Sequence, residues 1–242
     1  FNDVNNQKAE VILYRPTGES GDFEKANFPI GVEGGKTSTC PTQNLMEAYD
    51  MKDGTPFVWN NQSNPYDNRD PRMKYTIVCN EMKWPVDPVE IWEGGTNGLP
   101  LQNATTTGYY LKKYVNNTIS FEAGSTVTKK QHNWVLFRYG EILLNYAEAM
   151  INAFHDPNYK DAVYNMSARE AVNQIRGRTN ISLPGFPSDI TEKDFVKRLK
   201  NERRVELAFE GHRFWDVRRW KELGQTANIY GVKITKNNEV IS

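Results

Sequence analysis

The sequence predicts a mainly α-helical protein: a tetratricopeptide-like α-α solenoid scaffold that carries a large irregular loop-rich region and a few short strands. Three observations support this prediction. Helical hydrophobic periodicity dominates after residue 134, turn-forming residues interrupt the chain before residue 131, and a 38% hydrophobic, 25% charged composition is typical of a protein with a packed core. We therefore divide the chain into residues 1–130, a loop-rich region, and residues 131–242, a helical scaffold.

The loop-rich region is predicted to hold only short elements. Strands are expected over residues 11–14, 74–79 and 109–114, where β-branched and aromatic residues concentrate. One short helix is expected after Pro41, with Thr42 as its N-cap and Leu45, Ala48 and Tyr49 on a shared face.

Four helices are expected in the second region. The first covers residues 134–153, where apolar residues recur at helical spacing. The second begins with a capping box from Ser167 to Glu170 and ends at Gly177. Thr191 caps the third, which Gly211 breaks, and the fourth covers residues 214–223 before Gly224. Consecutive helical hairpins are typical of an α-solenoid, whose tetratricopeptide form repeats every 34 residues or so.

Charge and cysteine content exclude several functions. Thirty basic residues balance 30 acidic ones, so no summed positive field favours nucleic acid or anionic lipid. Cys40 and Cys79 are too few for a zinc cluster or a disulfide framework, and both are expected to be free and buried. No apolar run reaches the length of a membrane-spanning helix. No metal or other cofactor is predicted.

The densest charged segment follows residue 201. Glu202, Glu206 and Glu210 lie four residues apart, so a pair of them could serve as catalytic acid and base, with His212 as proton carrier. Interleaved arginines and aromatic residues favour buried ion pairs that join helices instead. Gly-x-Ser-x-Gly and phosphate-binding glycine motifs are absent from the sequence. A glycoside hydrolase, which needs only two carboxylates, stays open as an alternative.

A binding site for sugar is the other interpretation of the residues. Aromatic rings cover the apolar face of a sugar, and amides, carboxylates and guanidinium groups bind its hydroxyls. The candidate stacking residues are Trp59, Tyr66, Trp84 and Trp92, and the candidate polar residues are Asn61, Asp67 and Arg69.

Several long blocks of the chain are similar to one known family. These are residues 41–54 (PTQNLMEAYDMKDG), 68–72 (NRDPR), 137–149 (FRYGEILLNYAEA), 173–178 (NQIRGR) and 202–220 (ERRVELAFEGHRFWDVRRW). In this order and over most of the chain, they resemble the C-terminal half of SusD/RagB proteins.

The resemblance implies a function outside catalysis. Such proteins are surface-exposed outer-membrane lipoproteins of Bacteroidetes, anchored by a lipid after removal of a signal peptide. They bind a nutrient, usually an oligosaccharide, and deliver it to a SusC-like TonB-dependent transporter; they are not enzymes. The matching blocks are scaffold motifs, so the seven candidate ligand residues rest on their chemistry alone.

Two expectations remain open. The family's lipidated cysteine, first helical repeats and closing segment are not found in the sequence, so the chain is expected to be a piece of a protein about twice as long. The cargo could also be an oligopeptide, as RagB-like members imply.

Overall fold

Helices make up about 32% of this computed structural model and strands about 13%, so the protein is mainly α-helical, as predicted. The structure describes residues 9–59, 64–122, 128–237 and 240–241. Its elements are β1 (Val11–Ser20), α1 (Asp22–Asn27), α2 (Gln43–Ala48), α3 (Pro71–Thr76), β2 (Ile77–Val78), β3 (Tyr110–Leu111), β4 (Lys130–Arg138), α4 (Tyr139–Phe154), α5 (Ala168–Arg176), α6 (Glu192–Glu206), α7 (Arg213–Arg219), β5 (Lys236–Asn237) and β6 (Val240–Ile241). None of the described helices is long and apolar enough to cross a membrane.

Helices α4, α5 and α6 pack around one apolar core. Leu144 of α4, Val172 and Ile175 of α5 and Phe195 of α6 are buried there. The predicted caps are confirmed: Ser167 and Glu170 form a reciprocal capping box before α5, and the Thr191 hydroxyl accepts a hydrogen bond from the Asp194 amide. Local sequence signals therefore set the boundaries of these helices.

The first predicted helix is wrong at its beginning, because residues 134–138 belong to strand β4. This strand pairs antiparallel with β1, with Leu13 opposite Phe137 and Tyr14 opposite Val135. Arg138 still has an extended backbone, and α4 starts at Tyr139. The run from Trp134 to Phe137 is rich in residues that favour strands, and a partner more than 100 residues away supplies the hydrogen bonds.

The predicted strand over residues 74–79 is also wrong for most of its length. Helix α3 occupies residues 71–76 because Pro71 stands in its first turn and the Asp70 carboxylate accepts a hydrogen bond from the Arg72 amide. Only Ile77 and Val78 extend as β2, paired with β3. Strand β3 is likewise shorter than the predicted 109–114, whereas β1 is longer than the predicted 11–14.

The last predicted helix is shorter than expected. Helix α7 ends at Arg219, and Lys221 then takes a left-handed backbone with φ of 58°. This reversal separates α7 from a short 3-10 turn, Leu223–Thr226. Helix α6 also ends before Gly211, because Phe209 already has φ of 61°.

Two further apolar clusters lie mainly within residues 1–130, with Ile234 completing one and Val205 of α6 completing the other. One includes Phe28, Val78 and Tyr110, and the other includes Met46, Ile77 and Tyr109. Both cysteines are free thiols; Cys79 is buried as expected, whereas the prediction that Cys40 is buried is wrong, because it is only half-buried. Long loops therefore pack on cores that the short elements α2, β2 and β3 provide.

Candidate functional site

The three carboxylates considered as catalytic candidates, Glu202, Glu206 and Glu210, all form buried ion pairs. Glu206 accepts hydrogen bonds from Arg72 at 2.9 Å, from Arg138 at 2.8 Å and from Arg178 at 2.7 Å. Glu202 accepts from Arg72 at 2.5 Å and from Arg176 at 2.7 Å. Glu210 accepts from Lys113 and Arg138.

Electrostatics at this network oppose acid catalysis. Burial by itself would raise the pKa of Glu206, but the guanidinium groups of Arg138 and Arg72 outweigh it and hold that pKa well below the ordinary value. The pKa values of Glu202 and Glu210 are also lowered, because cations again outweigh burial. These carboxylates therefore carry no proton to donate at neutral pH, and the ion-pair interpretation fits the geometry.

The histidines are similarly engaged. His132 lies 2.9 Å from the Glu24 carboxylate in the interior, and His155 lies 2.6 Å from that of Glu192 at the surface. His212 lies 3.7 Å from Glu141. Among the described residues there is no group of three or more His, Cys, Asp and Glu side chains that could hold a metal ion.

Trp59 is the candidate aromatic residue that offers the most surface. It is 44% exposed, and its ring stands edge-to-face against Phe57 at 6.1 Å between centroids. The Arg69 guanidinium lies 3.7 Å from the centroid of the Phe57 ring. Phe57 is therefore fixed between a cation and Trp59. Asn61, the candidate amide of this loop, lies outside the described residues.

Arg69 points into the protein, where it is only 5% exposed. Its guanidinium donates to the carbonyl oxygens of Pro65, Met46 and Tyr49, each at 2.7 Å. Arg69 therefore links the loop at Pro65 to α2 and its C-terminal end, and its guanidinium packs against the Phe57 ring.

Tyr66 and Asp67 follow on the same loop with different surroundings. Tyr66 is half-buried and stands edge-to-face against Tyr109 at 6.2 Å, and burial raises its pKa. The Asn64 side chain accepts a hydrogen bond from the Tyr66 amide and so fixes the turn. The Asp67 side chain is exposed.

Trp84 and Trp92 belong to a different apolar cluster from Tyr66 and Phe57. Trp84 is only 7% exposed and lines a cavity of about 880 Å³ beside Val86, Asn97 and Phe121. Trp92 is half-buried, with the Lys236 ammonium 4.2 Å from its ring centroid. The four candidate aromatics therefore do not form a single stacking platform.

A second depression, which we call the α6 cleft, lies between segment 47–57 and helices α6 and α7. Its volume is about 480 Å³, and Phe57 forms part of its wall. Six cationic side chains line it: Lys193, Lys197, Arg198, Lys200, Arg204 and Arg213. Three carboxylates also line it: Glu47, Asp50 and Glu222.

Neither Phe57 nor these cations were among the candidate site residues. A signal for the cations exists in the sequence, because Lys193, Lys197, Lys200 and Arg204 follow the spacing i, i+4, i+7, i+11 of one helical face. No comparable signal marks Phe57, whose place in the wall depends on how segment 47–57 crosses α6.

Known proteins resemble this chain in sequence and in structure. The sequence model of the SusD family matches residues 9–240. SusD-like protein P38 of Formosa agariphila is 37% identical over 91 residues, which cover 35% of this chain and 16% of that protein.

Two crystal structures from Bacteroides fragilis share the fold. A SusD-like protein is 25% identical with a TM-score of 0.78, over 99% of this chain and 48% of that chain. A SusD-like carbohydrate-binding protein is 26% identical with a TM-score of 0.76, over 92% of this chain and 44% of that chain. The chain thus spans about half the length of these solved relatives.

Proposed function

Because this chain belongs to the SusD family, we propose that it binds an extracellular oligosaccharide without cleaving it. One structure that it resembles is described as a carbohydrate-binding protein. The ion-paired state of Glu202, Glu206 and Glu210 supports the non-catalytic part of the proposal, since no proton donor remains among them at neutral pH.

The exposed ring of Trp59 is the observation that carries the proposal. A tryptophan that is 44% exposed gives a flat apolar surface for the C–H face of a sugar. The Trp59 ring packs edge-to-face against Phe57, whose own ring lies beside the Arg69 guanidinium, and this contact reduces the conformational entropy lost when a sugar stacks on Trp59. We propose that Trp59 stacks, that Asp67 and Asn61 bind hydroxyls, and that Arg69 and Tyr66 hold the loop.

We propose Trp84 and Trp92 as parts of a second aromatic surface. Trp84 lines the cavity of about 880 Å³, where Asn97 supplies a polar edge. A glycan long enough to reach both surfaces would gain affinity from each.

The cellular setting follows the family. We propose a surface-exposed lipoprotein of the outer membrane of a Bacteroidetes species, with its signal peptide removed and its cargo passed to a SusC-like TonB-dependent transporter. Helices α4 to α7 would form tetratricopeptide-like pairs within residues 131–242, and residues 1–130 would face the ligand.

Calorimetric titration of the purified protein against a panel of oligosaccharides tests the proposal. Trp59→Ala is expected to weaken binding about tenfold, or about 1.4 kcal/mol, because a stacking surface is lost. Trp215→Ala is the matched control, since Trp215 is 66% exposed and packs edge-to-face only against Phe214 among the ring pairs described.

Absence of binding to every glycan of the panel would contradict the proposal. Binding of peptide mixtures but of no glycan would indicate that the cargo is an oligopeptide. Shortened products that disappear in Glu206→Gln or Asp67→Asn, while circular dichroism shows that the variant is folded, would establish the glycoside hydrolase instead.

A further inference from the structure

The α6 cleft has an excess of positive charge that the net charge of the chain conceals. Six cations and three carboxylates line it, whereas the whole sequence has as many basic as acidic residues. Positive charge is therefore concentrated locally. A concave surface lined by one sign of charge focuses the electric field and attracts ions of the other sign.

Four of the cations form a stripe along α6. Lys193, Lys197, Lys200 and Arg204 fall on one face, and the stripe is about 16 Å long at a rise of 1.5 Å per residue. Like charges at i, i+4 destabilise a helix. The arrangement thus costs stability in the unliganded protein, and an anion lying along the stripe would remove that cost.

Two of the three carboxylates of the cleft are already ion-paired, and the third, Glu47, accepts a hydrogen bond from the Gln43 side chain at 2.8 Å. Glu222 pairs with Lys200 at 2.5 Å, and it also accepts a hydrogen bond from Gln225. Asp50 lies 3.5 Å from Arg176 and 3.9 Å from Arg198. Within the described part of the chain, the other four cations, Lys193, Lys197, Arg204 and Arg213, form no ion pair.

Arg204 and Arg213 meet where α6 and α7 approach. Arg204 is half-buried, and its guanidinium makes no hydrogen bond to a described residue. Burial, followed by repulsion from Arg213, lowers the pKa of Arg204 to about 10. Burial also lowers the pKa of Arg213, whose guanidinium donates to the Gln225 side chain at 2.8 Å. Two guanidinium groups thus share a partly desolvated site with unused donors.

We propose that the α6 cleft binds the acidic groups of an anionic oligosaccharide, carboxylate or sulfate, while the Phe57 and Trp59 rings contact its sugar rings. This inference rests on the proposed glycan function and names the substrate class. A guanidinium binds a carboxylate or sulfate through two parallel hydrogen bonds, and ammonium groups spaced along a helix match charges that repeat along a polymer. An aromatic ring beside the cations favours a sugar over a bare inorganic anion.

Calorimetry with three tetrasaccharides tests this inference: oligogalacturonate for carboxylate, a carrageenan fragment for sulfate and a maltotetraose for the neutral case. At least one acidic tetrasaccharide is expected to bind tenfold or more tightly than the neutral one. Raising the salt concentration from about 0.1 M to about 1 M is expected to remove most of that preference, because screening shortens the range of charge interactions.

Two variants locate the site. Arg204→Gln and Lys197→Gln are each expected to weaken acidic binding several-fold and their combination tenfold or more, with neutral binding unchanged. Lys25→Gln is the matched control, because Lys25 is an exposed lysine on α1 and lines none of the described cavities. Circular dichroism of each variant separates loss of binding from loss of fold.

The outcomes distinguish failure of the anionic-cleft inference from failure of the proposed glycan-binding function. Equal binding of neutral and acidic tetrasaccharides would overturn the anionic cleft and leave glycan binding intact. Acidic binding that survives the double variant would place the anion elsewhere and overturn the inference. Binding of a poly-glutamate peptide but of no tetrasaccharide would overturn both.

Discussion

Glu206 shows how one residue can look catalytic in sequence and be structural in the fold. Its carboxylate is bonded to three arginines that come from α3, from the end of β4 and from the segment after α5. These segments are far apart in sequence, so a single side chain joins the loop-rich region to the helical one. Buried charges of this kind are tolerated only when they are fully paired.

Glu206→Gln is therefore expected to destabilise the protein by up to about 3–5 kcal/mol, because Arg72 and Arg138 would each lose one of their buried counter-ions. Urea denaturation measures this loss of unfolding free energy. Glu93→Gln is the control: Glu93 pairs with Lys233 at the surface, and exposed pairs contribute at most about 1 kcal/mol. A Glu206→Gln protein as stable as the wild type would refute the structural role.

Acid should weaken the same network. Arginine and lysine partners lower the pKa values of Glu202, Glu206 and Glu210 in the fold, so these groups stabilise the protein above their unfolded pKa of about 4.5 and lose that effect as pH falls towards the folded values. The unfolding free energy is expected to fall below pH 4.5 by up to about 1.4 kcal/mol per pH unit for each carboxyl.

Denaturation at several pH values checks this, and Glu206→Gln supplies the comparison. In the variant, the unfolding free energy is expected to depend less steeply on pH in acid, because about one proton fewer is taken up on unfolding. An unchanged slope would mean that Glu206 titrates alike in the folded and unfolded states.

At the scale of elements, caps decide where helices begin. Ser167 is buried, its hydroxyl accepts from the Glu170 amide, and the Glu170 side chain accepts from the Ser167 amide. Ser167→Ala is expected to cost about 1 kcal/mol of unfolding free energy. Ser188→Ala, at an exposed position before α6, is expected to change it by less than about 0.5 kcal/mol in the same urea assay. Equal losses of unfolding free energy in the two variants would contradict a stabilising role for the Ser167 cap.

Whether an element could be predicted from the sequence depends on whether the interactions that form it are local. Helices α2, α5 and α6 were predictable because Thr42, Ser167 and Thr191 act on amides only three residues away. Strand β4 was not, because its hydrogen bonds come from β1, whose residues precede it by more than 100 positions. Helix α3 was missed because the cap formed by Asp70 and Pro71 outweighed the β-rich residues that follow.

At the scale of the whole molecule, the site was less predictable than the scaffold. Composition identified Trp59 and Trp84 alike as candidate aromatic residues, and it could not distinguish the exposed Trp59 ring from the buried Trp84 ring. Arg69 has the chemistry of a ligand residue, and only the fold reveals that carbonyl oxygens of α2 and its loop already occupy its guanidinium. The spacing of the α6 cations in the sequence indicates that they share one helical face. The cleft that they line could not be predicted, because it forms only where segment 47–57 and α7 pack beside them.

Equilibrium dialysis with end-labelled oligosaccharides, followed by chromatography of the recovered ligand, tests the central claim of non-catalytic glycan binding most directly. We expect the protein compartment to retain a labelled glycan and to return it at its original length after prolonged incubation, with retention reduced about tenfold in Trp59→Ala. Equal distribution of every glycan across the membrane, or recovery of shortened labelled products, would contradict the account.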